Sequence, residues 1–271
     1  MRKVTFQDIP LELVEKHDGL GRWAILVGLR GSLAHGLYIR PDEPMGTDDV
    51  DLMAVCVPTE DYYLGLAQFG SRGTQEIARG SWDIVIYEFR KYLRLLVRGN
   101  PNVLGMLWLR PEHYLKLTAA GRELVKQRKL FSTKLAYKSF TGYAEAQQKG
   151  IAKDVFHGHM GTKRKELAKR FGYDTKHAAH CIRLLRMGCE LMETGELRVD
   201  RSAIDREELL SIKRGEWALS RIQREAIEGF GRARIAYERS ALPEAPDMTK
   251  VNELCVAVIR KAWEEREERD R

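Results

Sequence analysis

The sequence predicts an α+β protein: a small mixed-sheet unit followed by an all-helical unit. Short apolar or β-branched runs bounded by Gly or Pro fall before residue 110. Beyond about residue 115 the apolar residues recur only at helical spacing. The charge shifts at the same place: residues 1–110 carry 13 basic and 14 acidic side chains, whereas residues 111–271 carry 33 and 25. A chain of 271 residues holds one large domain or two modest ones. The expected division is an α/β domain over residues 1–110 and a basic helical domain over residues 111–271.

In the first unit, residues 23–29 (WAILVGL) read as a buried strand. Gly31 and Gly36 then bracket a tight turn into a short helical stretch, and residues 40–47, with two prolines and a glycine, read as a loop. Residues 50–57 (VDLMAVCV) form a second strand stopped by Pro58, and residues 81–89 (SWDIVIYEF) a third. A helix follows over 90–97, with Tyr92, Leu93 and Leu96 on one face. Asn100-Pro101-Asn102 ends it, and another helix begins over 103–109. Further helices are expected over 122–128, 134–149, 163–171, 176–193, 204–211, 215–237 and 251–269. In the fourth of these, Ala178, Ile182, Leu185, Cys189 and Met192 form a stripe that would face a core. Pro243 and Pro246 mark a linker before the last helix.

Composition excludes several classes. With 44% hydrophobic and 31% charged residues the chain can build a core and is not disordered throughout. Its apolar runs are far shorter than the roughly 20 residues of a membrane span, and the first twenty residues lack the apolar segment of a secretory signal. Cys56, Cys181, Cys189 and Cys255 show no CxxC spacing, which argues against a disulfide framework and a zinc ribbon. A cytoplasmic location without membrane contact is the expectation. The net charge of +7 is concentrated in residues 116–186, which carry 17 basic and 5 acidic side chains. That density suits a polyanion, although a solvated surface has the same composition.

The chemistry-bearing constellation is Gly31-Ser32, Asp49-Val50-Asp51 and Asp83. Asp49 and Asp51 stand i, i+2 on a predicted strand and so leave one face of the sheet. Asp83, inside the next β-rich run, can join them from a neighbouring strand. Carboxylates forced so close repel unless a cation lies between them, and an all-oxygen set suits Mg²⁺. A pair of such ions would clamp the entering and leaving oxygens of a phosphoryl displacement. Gly31-Ser32, where strand turns to helix, offers free backbone N–H groups and a hydroxyl to a phosphate. Lys176, His180 and Arg183 follow at i, i+4, i+7 on the face opposite the apolar stripe. They could contact a triphosphate or an acceptor, or form an exposed polar face. His177, His180 and Cys181 lack the second ligand pair that zinc requires. Lys163-Arg164-Lys165, near the loop His157-Gly158-His159, is the candidate nucleic-acid contact.

These residues together resemble the active site of the DNA polymerase beta-like nucleotidyltransferase superfamily. More narrowly, GSLAHG (31–36), TDDVDLMAV (47–55), WDIVIYEF (82–89) and NPNVL (100–104) are similar to the predicted nucleotidyltransferases of bacteria and phages, including the phage RNA-ligase-associated type. YAEAQ (143–147), KHAAHCIRLL (176–185), TGEL (194–197) and IKRGE (212–216) extend the likeness, which runs over about residues 25–220. One departure is Gly105, where many relatives would carry an acidic residue. The resemblance implies a palm-type sheet domain and an Mg²⁺- or Mn²⁺-dependent transfer of a nucleoside monophosphate from an NTP to a hydroxyl, releasing pyrophosphate. It implies that Gly31 and Ser32 hold the β- and γ-phosphates and that Asp49 and Asp51 bind the metal ions. Asp83 would complete the second metal site and help deprotonate the acceptor.

With the basic helical half, these features lead us to expect an RNA 3′ end, such as that of tRNA, as acceptor. The same chemistry on a protein side chain or small molecule is the alternative, and a non-catalytic RNA-binding protein a further one.

Overall fold

The structure, a computed structural model, describes residues 3–43, 46–152, 168 and 170–271. Its centre is a five-stranded mixed sheet of β1 (Ala24–Leu29), β2 (Val50–Cys56), β3 (Thr74–Arg79), β4 (Trp82–Glu88) and β5 (Tyr114–Leu117), ordered β3-β4-β2-β1-β5. β1 is buried at every position and β2 at every position but Asp51, as continuous apolar runs covered on both faces must be. β2 and β4 run parallel, and the other pairings are antiparallel. The parallel register sets Asp51 beside Asp83.

Two strands depart from the expectation. β3 is polar and buries only Ile77, because as an edge strand it needs only one covered position. β5 is four half-buried residues at the opposite edge. The sheet therefore continues past residue 110. Asp49, expected on a strand, lies one residue before β2.

The shorter helices are α1 (Leu11–Lys16), α2 (Gly31–Ala34), α3 (Glu60–Leu64), α4 (Phe89–Val97), α5 (Pro101–Met106) and α6 (Ala119–Lys126). Glu88 caps α4, accepting from the Arg90 and Lys91 N–H groups at 2.7 and 3.0 Å and from the Tyr63 hydroxyl at 3.0 Å. Those bonds let a fully buried carboxylate persist. Asn100 caps α5 through the Asn102 N–H, with Pro101 at its first turn.

The longer helices are α7 (Leu135–Ala152), α8 (Thr175–Thr194), α9 (Arg206–Lys213), α10 (Leu219–Arg239) and α11 (Met248–Asp270). Asp174 caps α8 at its start, and Gly195, with φ +70°, ends it. α8 packs against α7, α9 and α10, burying Ala178, Ile182, Leu185 and Met192 of the expected stripe, with Cys189 half-buried. α11 turns back to the sheet unit: the Trp263 Nε1–H donates to the Pro58 carbonyl at 2.9 Å, and the Glu265 carboxylate accepts the Ala120 N–H at 2.8 Å. Most of the expected helix over 163–171 lies outside the described residues.

Arg201 ties the two parts together. Its guanidinium donates to both carboxylate oxygens of Glu190 at 2.7 and 2.9 Å and to Asp205 at 2.7 Å, and its N–H bonds the His35 carbonyl at 3.1 Å. Burial pushes the Asp205 carboxyl up, but bonds from Arg201 and Arg186 outweigh it and hold the group below its usual value. This stabilisation is present above about pH 4 and is lost as pH falls through the depressed value. Arg201→Ala removes the guanidinium that pairs Glu190, leaves Asp205 with Arg186 alone, and is expected to cost about 3–5 kcal/mol. A urea melt at pH 7 checks it; a loss under 1 kcal/mol would contradict the account.

Candidate active site

β1 ends where the Arg30 N–H donates to the Asp51 carbonyl at 2.9 Å. Gly31 then turns the chain with φ +60°, and a Cβ built there would stand 2.0 Å from Asp51 Oδ2. Only glycine lets the backbone pass over that carboxylate. Ser32 follows in α2, which is fixed by the buried Leu33 and Ala34. The His35 N–H closes the turn on the Gly31 carbonyl, while its Nδ1 faces the Val199 carbonyl at 2.9 Å.

Asp51 and Asp83, in register on neighbouring parallel strands, project from the same face of the sheet. Asp49 is exposed, with its N–H on the Thr47 hydroxyl at 3.1 Å. Arg30 Nη2 lies 2.9 Å from Asp83 Oδ1. Partial burial pushes the Asp51 carboxyl up; Arg30 opposes this, Asp83 adds to it, Lys176 opposes it, and Asp49 adds to it again. Among the described residues no three His, Cys, Asp or Glu side chains converge as a ready-made metal set. Arg30 holds Asp83, and Asp49 sits on the loop. The donor chemistry nevertheless fits a divalent cation. All three groups offer oxygen, and their mutual repulsion at Asp51 is what a cation would relieve.

The carboxylates open onto a cleft of about 840 Å³ between the sheet and the helical part. It is also lined by Lys176, His180 and Arg183 from α8, the three that the spacing groups on one face. That face is solvated only at its start: Lys176 is exposed, His180 half-buried and Arg183 only 6% exposed. Arg183 Nη1 lies 3.2 Å from Met187 Sδ and 3.5 Å from His35 Nδ1, and its Nε has no hydrogen-bond partner. Burial and the charge of Arg201 push its guanidinium down to about 10, with Asp205 partly offsetting them. Burial, then Arg183 and Lys176, hold His180 well below its usual value, so it is neutral at pH 7.

The sequence reading missed Arg30 and Lys213. Lys213 Nζ enters the same cleft and donates to the Leu37 carbonyl at 2.9 Å. Arg30 had a local signal, a basic residue directly before a strand-ending Gly-Ser. Lys213 had none of its own beyond lying in IKRGE. Asn102, Tyr143 and Gln147 also line the cleft. His177 Nδ1 lies 2.6 Å from Gln147 Oε1. Gly105 is buried in α5 at the cleft. Lys163, Arg164, Lys165 and the histidines at 157 and 159 lie outside the described residues.

A mixed sheet with carboxylates beside a Gly-Ser turn, faced by cations from a helical part, is the arrangement of a polymerase beta-like nucleotidyltransferase. The family model RlaP, described as the RNA repair pathway DNA polymerase beta family, matches residues 11–257, and the chain belongs to that family. It is therefore an enzyme of nucleotidyl transfer, a chemistry that uses a nucleoside triphosphate and a divalent metal ion. Among solved structures, a nucleotidyltransferase-like protein from Exiguobacterium sibiricum 255-15 is similar at 9% identity and a TM-score of 0.27. That likeness covers 84% of this chain and 73% of that one, and is too slight to carry residues across. No curated protein matches the chain. Among the described residues, no helix is long and apolar enough to cross a membrane.

Proposed function

We propose that this enzyme moves a nucleoside monophosphate from an NTP to the 3′-terminal hydroxyl of an RNA, such as a tRNA, releasing pyrophosphate. The observation that carries the reading is one cleft lined by both carboxylates and cations. Asp51 and Asp83 come from the sheet, and Lys176, Arg183 and Lys213, none in an ion pair among the described residues, come from the helical part. A triphosphate with its metal ion is the ligand that complements both. Asp49, Asp51 and Asp83 would hold Mg²⁺ or Mn²⁺, which when bound neutralises charge on the reacting phosphates. The Gly31 N–H and Ser32 hydroxyl bind the terminal phosphates, Lys176 and Arg183 supply fixed positive charge, and neutral His180 offers an N–H donor. Asp83, about half exposed, takes the acceptor hydroxyl proton.

The family's description, which places it in an RNA repair pathway, and the basic excess of residues 116–186 both support an RNA acceptor. We assign Lys163-Arg164-Lys165 to its phosphates. We also propose two working parts, residues 1–110 with β5 and α11 joined to them, and the remaining basic helical residues.

The test is to supply RNA, divalent metal and each NTP labelled at its α-phosphate. Label is expected at the RNA 3′ end, and periodate oxidation of the terminal ribose should abolish it. The apparent KM for RNA should rise steeply between about 50 and 200 mM salt, since each phosphate contact releases a counterion. It should also rise when Lys163-Arg164-Lys165 is neutralised, with NTP binding nearly unchanged. Label in protein, or RNA binding flat with salt, would move the acceptor to a side chain or small molecule.

A further inference from the structure

Lys213 closes α9 and lines the cleft together with the carboxylates, near enough to Asp51 to feel its charge. Its ammonium has three N–H donors, of which one is spent on the Leu37 carbonyl. Charged groups surround it from every element nearby: Lys176 and Arg183 on α8, Arg214 next in the chain, and Asp51 on β2. No carboxylate stands within ion-pair distance of it among the described residues. A half-buried cation among other cations is unfavourable until an anion arrives, so the group is poised for a partner from outside.

We propose that Lys213 is a catalytic residue of the transfer, the donor of a proton to the departing pyrophosphate. This rests on the cleft being the nucleotide site. In the step, the acceptor hydroxyl oxygen bonds to the α-phosphorus as the bond from that phosphorus to the α,β-bridging oxygen breaks. The electron pair of the broken bond stays on the pyrophosphate oxygen, which takes a proton from Lys213 Nζ. The hydroxyl proton passes to Asp83 and on to water, and water returns a proton to the Lys213 amine.

Four other nitrogen groups at this cleft are unsuited to that task. His35 and His180 are neutral at pH 7, each held well below its usual value chiefly by burial. Arg183 keeps its proton at neutral pH and serves as fixed charge. Lys176 is exposed to water. Burial, then Lys176, Arg183 and Arg214, push Lys213 down to about 8, with Asp51 partly offsetting them. A general acid works best with a value near the operating pH.

The experiment compares wild type, Lys213→Arg and Lys213→Met, each with divalent metal, α-labelled NTP and RNA, over pH 6.5–9.5. NTPs whose β,γ-bridge is CH₂ or CF₂ vary the basicity of the leaving group. Lys213→Met is expected to lower kcat about a hundredfold or more, with NTP affinity changed less than tenfold. The wild type should show a fall of kcat/KM above about pH 8; Lys213→Arg should restore affinity but not kcat, and should remove that fall. Both variants should be slowed more than wild type by the more basic CH₂ leaving group. Wild-type kcat, pH profile and leaving-group dependence in Lys213→Arg would overturn the proposal, leaving Lys213 a binding charge. So would Lys213→Met raising KM alone. A wild-type enzyme that transfers no α-phosphate from any NTP would instead remove the reading of the cleft itself.

Discussion

Asp51→Asn is expected to lower nucleotidyl transfer by roughly a thousandfold while leaving the fold as stable as wild type or more so. Asparagine has the shape of aspartate and keeps the backbone carbonyl that receives the Arg30 N–H. What disappears is the charge, and with it the anchor for a cation between Asp51 and its register partner Asp83. The stability half of the prediction has a sign. The Asp51 carboxyl is raised in the folded protein, by burial first and by Asp83 and Asp49 after it. A raised carboxyl binds its proton more tightly folded than unfolded, so its contribution to stability falls as pH rises from the unfolded value through the folded one. Removing the charge relieves that penalty. In the absence of metal and nucleotide, the gain in Tm over wild type should be present at pH 7 and vanish near pH 3. An Asp51→Asn enzyme with wild-type turnover would show that the paired carboxylates are not the metal anchor.

Gly31→Ala should be nearly as damaging, by a different route. The added methyl would stand 2.0 Å from Asp51 Oδ2 and 2.7 Å from its Cγ, far inside contact distance, so the carboxylate or the turn must move. The φ of +60° adds a left-handed penalty of about 1–2 kcal/mol for any residue with a Cβ. Because Gly31 and Asp51 are both site residues, one substitution displaces the phosphate turn and the metal anchor together. Activity should fall at least a hundredfold, whereas the urea midpoint should show only a modest loss. Activity within threefold of wild type would mean that the close approach of the turn to Asp51 has no catalytic role.

The part of this site that alternates along a strand was legible in the sequence. Asp51 and Asp83 each interrupt an apolar run, and a charge in such a place needs a reason. The parallel register that sets them side by side is a tertiary fact, made when β4 pairs with β2 across the intervening α3 and β3. β3 itself escaped notice because TQEIAR on a sheet edge carries almost no apolar signal. Asp49 was placed on the strand because i, i+2 spacing assumes that regular structure extends to both residues; the strand starts one residue later.

The helical wall divides in the same manner. Lys176, His180 and Arg183 share a face by local periodicity alone. The spacing could not say whether that face meets solvent or a cleft, because packing of α8 against α7, α9 and α10 decides it. Lys213 reaches the cleft only because α9 ends there, a consequence of long-range contacts such as its bond to Leu37, 176 positions earlier. A lone lysine at a helix end has no periodic signature. The return of α11 to the sheet unit was hidden for the same reason, since Trp263 and Glu265 look like ordinary helix residues until Pro58 and Ala120 are brought to them.

The central claim is that this cleft transfers the α-phosphate of an NTP with pyrophosphate as the leaving group. The most direct measurement follows two labels in parallel, one on the α-phosphate and one on the γ-phosphate, in wild-type and Asp51→Asn enzyme supplied with divalent metal and RNA. The account predicts that α-label enters the RNA in step with γ-labelled pyrophosphate release, and that Asp51→Asn does neither. Transfer of the γ-label to the acceptor, or α-label transfer undiminished in Asp51→Asn, would contradict it.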